Sequence, residues 1–246
     1  SARDNIVGDL VLNTLGLVVS RLESGIFGYW HLDDIEKSSF AVDASVNERM
    51  GTLFGGNDDC SPYYQISLCP VWEMSPVCKA GNCLRFDKSN QNYIAGNLSQ
   101  SITLSAFTIE SWVKLSADQN KGAIFTGYSG STQKISARFL ASSKRPSFYT
   151  SPPGASLDYT GSDLELERWY HLAYVYNGAF RKIYLNGVEV KSGSLSSQNF
   201  TIDNFDIGRS EKNNSFTLDG YLDEVRIYNR ALSPQEISNH YNDFKL

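Results

Sequence analysis

From residue 27 onward the chain is a succession of short apolar or alternating runs, cut by Gly, Asn, Asp and Ser every 8–12 residues. That rhythm is the strongest constraint on the fold. A strand with a side-chain period of two buries one face only against another sheet, so many short strands at this spacing predict an all-β sandwich or barrel. The clearest strands are read at 28–32, 107–115, 123–126, 134–140, 170–176, 182–185 and 221–228. Asn177-Gly178 and Asn186-Gly187 read as type I′ hairpin turns, because both central positions need positive φ, and they make this part an antiparallel meander. Residues 3–24 have a different pattern. Ile6, Val7, Leu10, Val11, Thr14, Leu15, Val18 and Leu22 recur at helical spacing, with Gly25 as a stop. This predicts an N-terminal helix over 1–26 and a β domain over 27–246. Ser233-Pro234-Gln235-Glu236 is a capping box with Pro in the first turn, so a short C-terminal helix is expected through Ile237 and Tyr241.

All four cysteines, Cys60, Cys69, Cys78 and Cys83, fall in an irregular segment at 55–83 that reads as an insertion. Sequential pairing closes two short loops, the second across a Gly-Asn turn, and is the favoured arrangement. The rival is a four-thiolate zinc site, against which the wide spacing of Cys60 and Cys69 weighs, since such sites usually bring Cys pairs two to four residues apart. Disulfides place the chain outside the cytoplasm, in an extracellular or cell-surface setting. With 22 basic and 27 acidic residues the net charge is −5, and no dense basic run is present, which argues against nucleic acid. The chain opens at Ser1, and no run of about 18 apolar residues occurs in it. An upstream segment is therefore expected to have been removed.

Four stretches carry a family resemblance: Gly28-Tyr-Trp-His-Leu-Asp-Asp34; Phe107-Thr-Ile-Glu-Ser-Trp-Val-Lys114; Trp169-Tyr-His-Leu-Ala-Tyr-Val-Tyr176 with Ile183-Tyr-Leu-Asn-Gly-Val188; and Leu218 to Ser233 around Asp223-Glu224-Val225-Arg226. Together they resemble the laminin G-like jelly-roll domains of the concanavalin A-like lectin/glucanase superfamily. The resemblance implies an antiparallel two-sheet jelly roll over about 27–246. It does not choose a function, because that fold carries lectins, glycanases and adhesion modules alike. Ser1-Ala-Arg-Asp4 at the head of the amphipathic segment resembles the region beyond the hydrophobic stem of type IV pilins and pseudopilins. This implies partners among other pilin subunits, and a membrane attachment only through a stem upstream of Ser1.

Catalytic patterns are missing from the sequence. A glycanase of this family is expected to align acid and base carboxylates along one strand in a Glu-x-Asp-x-x-Glu pattern, and none is present. His31, His171 and His240 do not form a zinc-hydrolase motif. The chain is read as a non-enzyme. The resemblance also implies one structural Ca²⁺, with Asp43, Asn47 and Asp223 as candidate oxygen ligands, although Val46 and Glu48 stand where the family loop has Gly. The same loop reads equally as a surface turn closed by its own Asx bonds.

Sugar binding needs an aromatic face for C–H groups and polar groups for hydroxyls. The candidates read from loops are Tyr128, Phe148 and Tyr149, with Arg145 beside them; each also reads as packing or plain surface. The expected function is a non-catalytic adhesion module binding a glycan or cell-surface ligand and displayed as a pilin-like head. The alternatives are a structural pilin subunit and a divergent glycoside hydrolase.

Overall fold

The computed structural model describes residues 24–34, 38–56, 58–60, 66–212 and 216–244. Of the helix expected over 1–26, residues 1–23 with their pilin-like start lie outside the described residues, and residues 24–26 are not helical: 24 and 25 form a turn and Ile26 opens the first strand. The first half of the chain forms β1 (Ile26–Trp30), β2 (Phe40–Ala41), β3 (Gly51–Gly55), β4 (Asp58–Asp59), β5 (Val71–Met74), β6 (Asn82–Phe86), β7 (Tyr93–Leu104), β8 (Phe107–Leu115) and β9 (Gln119–Asn120). There follow β10 (Ala123–Ser129), β11 (Thr132–Phe139), β12 (Ala141–Ser143), β13 (Pro146–Thr150), β14 (Ala155–Asp158) and β15 (Trp169–Tyr176). The chain closes with β16 (Phe180–Leu185), β17 (Val188–Ser194), β18 (Phe200–Ile207), β19 (Gly220–Tyr228) and the helix α1 (Pro234–Asp243).

Apart from the β9–β12 pair, the strands make two antiparallel sheets. The first runs β17-β16-β15-β8-β19-β6-β5 with β1 also on β19; the second runs β14-β13-β11-β10-β18-β7-β3-β2 with β4 on β3. Their inner faces form the core. Phe107 of the first sheet meets Phe148 and Phe200 of the second edge-on, with ring centroids 5.7 and 5.9 Å apart. All three are fully or almost fully buried, and each such ring contributes about 1.5–3 kcal/mol by leaving water. Phe148 therefore cannot be the loop platform expected for it. It sits in β13, opposite Ala137 and Leu157, on the side that alternation points inward.

Every residue of β8 is buried, on both faces, because the outside of the first sheet is covered twice. Helix α1 lies over part of it, with Ile237 packed among Ala173, Val175, Tyr184 and Tyr228. Its capping box is formed: Ser233 accepts from the Glu236 backbone N–H, and Glu236 accepts from that of Ser233. The second cover is the loop closed by the Cys78–Cys83 disulfide. Asp223 accepts from its backbone N–H groups at Lys79 and Ala80, while Lys114 and Trp169 both donate to Val77 O. Cys60 is joined to Cys69. The segment read as an irregular insertion instead supplies β5 and β6, one margin of the first sheet.

The two Asn-Gly turns differ. Asn186 and Gly187 have φ of 50° and 80°, as a type I′ turn requires. At the other turn Gly178 (φ 92°) takes the first central position. Asn177 stays outside it, its Oδ1 accepting from the N–H groups of Ala179 and Phe180.

Candidate functional site

The second sheet has an outer face of unusual composition. One row of paired residues across it reads Ser156, Tyr149, Ser136, Thr126, Asp206, Ala95 and Thr52. The residues that alternate with them, among them Phe148, Ala137, Phe125, Ile207 and Ile94, point into the core. Period two thus sorts β11 into an apolar side and a polar side, and puts Ser136 and Arg138 outward beside Tyr149.

Two guanidinium–aromatic stacks flank the centre of this face. Arg138 lies over the Tyr149 ring at 4.6 Å. On the other side Phe54 and Tyr93 stack at 5.1 Å and 8°, with the Arg209 guanidinium 3.3 Å from the Tyr93 ring centroid. Asp206 lies between the stacks, its carboxylate accepting from Arg209 Nε at 2.9 Å. Burial raises the Asp206 pKa, and Arg209 opposes that rise. Next to Asp206, Thr126 and Ser136 share a buried hydroxyl hydrogen bond at 2.9 Å. Beyond Thr52 the same face ends in an apolar margin, Phe40, Val42 and Met50, each about half exposed. Rings that offer flat apolar faces beside fixed hydrogen-bonding groups are what a saccharide needs.

The residues read from the sequence for this purpose divide. Tyr149 is half-buried on the face, against Arg138. Tyr128 belongs to β10 and keeps only 1% of its surface, so it supports the face from beneath, with Lys212 Nζ 4.8 Å over its ring. Burial and the Asp206 charge hold its hydroxyl far above the usual range. Arg145 is not brought to Tyr149: it sits in the turn before β13, 3.3 Å from Asp163, with its Nε donating to Ser143 Oγ. The arginine that does reach Tyr149 is Arg138. Its signal was in the sequence, in the polar–apolar alternation of Ser136-Ala137-Arg138-Phe139.

The three residues expected to ligate calcium do not fit the ion. Asp43 Oδ1 accepts from the N–H groups of Tyr29 and Ser45, and its Oδ2 from Arg49 N–H and Ser45 Oγ, all at 2.8–2.9 Å. Asn47 turns its amide N–H groups, not its oxygen, toward Ile26 O and Phe27 O. Arg49 Nη1 donates to Phe27 O at 2.6 Å, placing a cation among oxygens that a metal would use. Asp223 faces the Cys78–Cys83 loop; its Oδ1 is buried without a hydrogen-bond partner, and burial pushes its pKa up to about 8. Among the described residues no group of three or more His, Cys, Asp or Glu is arranged to hold a metal.

Two further clusters of titratable groups lie away from this face. A cleft of about 260 Å³ is lined by His31, Leu32, Asp33, Asp34, Val42 and Ala44. Its carboxylates cap backbone N–H groups, Asp33 that of Asn82 and Asp34 that of Val42. The other cluster lies outside the first sheet, under α1. Glu110, 1% exposed, is reached by His240 Nδ1 at 2.7 Å, Arg226 Nη1 at 3.6 Å and His171 Nε2 at 3.7 Å. Burial would raise its pKa, but His240, His171 and Arg226 together hold it below the usual range. His171 is pushed down to about 4 by burial, against the pull of Glu110. These groups compensate one another inside the protein.

Residues 87–238 match the sequence pattern of the concanavalin A-like lectin/glucanases superfamily, in its laminin G branch. No curated protein sequence matches the chain. Among solved structures, domain 4 of the extracellular GH43 arabinanase AbnA of Geobacillus stearothermophilus, in complex with arabinotriose, superposes with a TM-score of 0.63 at 18% identity, over 87% of this chain and 97% of that one. The botulinum neurotoxin serotype D ligand-binding domain, in complex with N-acetylneuraminic acid, gives 0.62 at 14% identity, over 89% of this chain and 51% of the toxin chain. Trypanosoma rangeli sialidase in complex with sialic acid gives 0.62 at 13%, over 90% of this chain and 33% of the enzyme. At such identities the likeness is one of fold.

Proposed function

Because the chain belongs to the concanavalin A-like lectin/glucanase superfamily, we propose that it is an extracytoplasmic, non-catalytic module that binds saccharides on the outer face of its second sheet. The observation that carries this reading is the half-buried Tyr149 ring held against the Arg138 guanidinium on the outer face. A ring immobilised against its neighbours loses little freedom when a sugar stacks on it, and Tyr149 and Phe54 stay half-buried on this face, while Asp206, Arg209 and Tyr93 are buried and hold them in place. Domains of this fold captured with arabinotriose and N-acetylneuraminic acid support it. The two disulfides suit an oxidising compartment.

The carboxylates of this face are engaged with protein groups, Asp206 with Arg209 and Asp158 with the Ser147 hydroxyl. We read residues 1–23 as the means of display, in the manner of a pilin stem, with the β domain carrying recognition. A saccharide array probed with this chain and with Tyr149→Ala tests the function. Binding that falls about tenfold in the variant at unchanged Tm is expected, since one sugar–aromatic contact contributes on the order of 1 kcal/mol. A silent array, together with filament assembly of the full-length chain, would transfer the role to a structural subunit. Release of reducing sugar would transfer it to a hydrolase.

A further inference from the structure

The buried arginines of this protein differ in how well they are matched. Arg226 is held by Glu224, Tyr29 and Glu110; Arg209 by Asp206; and Arg181 Nη1 donates to Phe148 O, Thr150 Oγ1 and Ala155 O. Arg181 Nε is left without a partner, and Arg138 differs again, in being held loosely by carboxylates. Only 9% of it is exposed, yet among the described residues its side chain makes one hydrogen bond, from Nη2 to Ser156 Oγ at 3.1 Å. Its carboxylate neighbour, Glu211, stands 4.0 Å from Nη1, at the outer limit of an ion pair. A guanidinium has five N–H donors in a planar fork, and a largely desolvated one is costly unless they are used.

Glu211 is shared. The Lys121 ammonium approaches the same oxygen, Oε1, at 3.8 Å, so one loosely held carboxylate spans two cations and is itself a third exposed. Such contacts are weak and readily exchanged for a better-fitting anion. Here Lys121, Arg138, Arg209 and Lys212 meet Asp158, Asp203, Asp206 and Glu211, four cations and four carboxylates on a chain whose net charge is −5. Tyr149 lies directly against the guanidinium, offering a ring face to the remainder of the same ligand.

Resting on the saccharide-binding reading above, we propose that Arg138 with Lys121 is the receptor for an anionic group on the saccharide, a carboxylate or a sulfate ester, and that Glu211 holds the place of that group until the ligand displaces it. The chemistry follows from the fork. A carboxylate or sulfate accepts two parallel N–H bonds from a guanidinium, which a hydroxyl cannot. Glu211 then acts as an internal competitor, swinging toward solvent as the ligand enters.

The test is an array of matched pairs, each neutral oligosaccharide beside its sialylated, uronic acid-bearing and sulfated forms, probed at two salt concentrations. The acidic members are expected to bind at least tenfold more tightly than their parents. Arg138→Gln should remove that preference, and Arg138→Lys should not restore it. Glu211→Gln should strengthen acidic binding severalfold and leave neutral binding unchanged. That gain cannot come from lost folding, so it keeps the test decisive even if Arg138→Gln is unstable. The array arms separate carboxylate from sulfate. Tyr149-dependent binding that ignores the acid, or an unresponsive Glu211→Gln, would overturn the anion receptor while leaving the saccharide reading intact; silence toward every member would overturn both.

Discussion

The two outer faces of the sandwich carry similar side chains and use them in opposite ways. Outside the first sheet, beneath α1 and the Cys78–Cys83 loop, Glu110, His171, His240, Arg226 and Glu224 are closed off from solvent, with His240 on Glu110 and Arg226 on Glu224 at 2.7 Å, although Glu110 Oε2 and His171 Nδ1 have no hydrogen-bond partner. Outside the second sheet, Arg138, Lys121 and Glu211 are matched only at 3.8–4.0 Å, and aromatic rings stand beside them. A buried charge with good partners holds a fold in one arrangement, whereas one with loose partners can exchange them at little cost. The difference lies in the partners more than in the residue types.

Removing a partner from each face should break the comparison most visibly. Glu110→Ala leaves two histidines and Arg226 around a vacated carboxylate, and is expected to cost about 3–5 kcal/mol in urea unfolding. Tyr149→Ala should cost far less stability and act on ligand affinity. Equal stability losses would mean that both faces are structural.

A pH-dependent effect tests the Asp223 contact between the first sheet and its disulfide loop. With its pKa raised to about 8, from 3.8, Asp223 keeps its proton in the folded state over a range where the unfolded chain has lost it. The folded state then binds more protons, so this group makes stability fall as pH rises from about 4 to 8. Asp223→Asn removes that cost while keeping an oxygen for the N–H groups of Lys79 and Ala80. Its Tm should therefore exceed that of the parent at pH 8–9 and converge with it near pH 4. A constant difference across that range would show that Asp223 ionises freely.

The smallest expected effect is that of calcium on either face. Since N–H donors and Arg49 occupy the oxygens around Asp43 and Asn47, the Tm in calcium and in chelator should coincide. A rise in calcium would restore the ion, because a ligand that binds only the folded state stabilises it by mass action.

Much of this fold is legible in the chain itself. Alternation marks β8, β15 and β19, the Asn186-Gly187 pair marks a tight hairpin, and Ser233 to Glu236 marks the start of α1, because each signal is complete within a few residues. The cysteines, too, pair with near neighbours in sequence. Partnership across the sandwich is not local. Phe148 and Tyr149 are adjacent, yet one fills the core and the other faces outward, and which is which depends on the register of β13 against β11. Arg145 and Arg138 are both arginines near Tyr149 in sequence, but only Arg138 meets its ring, since β11 and β13 run side by side and the turn carries Arg145 away to Asp163. Glu211, more than seventy residues on, comes to the same guanidinium only through the loop that follows β18. The sequence by itself determined strands, turns, the helix cap and an oxidising setting, all from short-range sterics and periodicity. Only the tertiary structure decided which charges are satisfied and which rings stay exposed, because burial and pairing depend on what distant segments bring alongside.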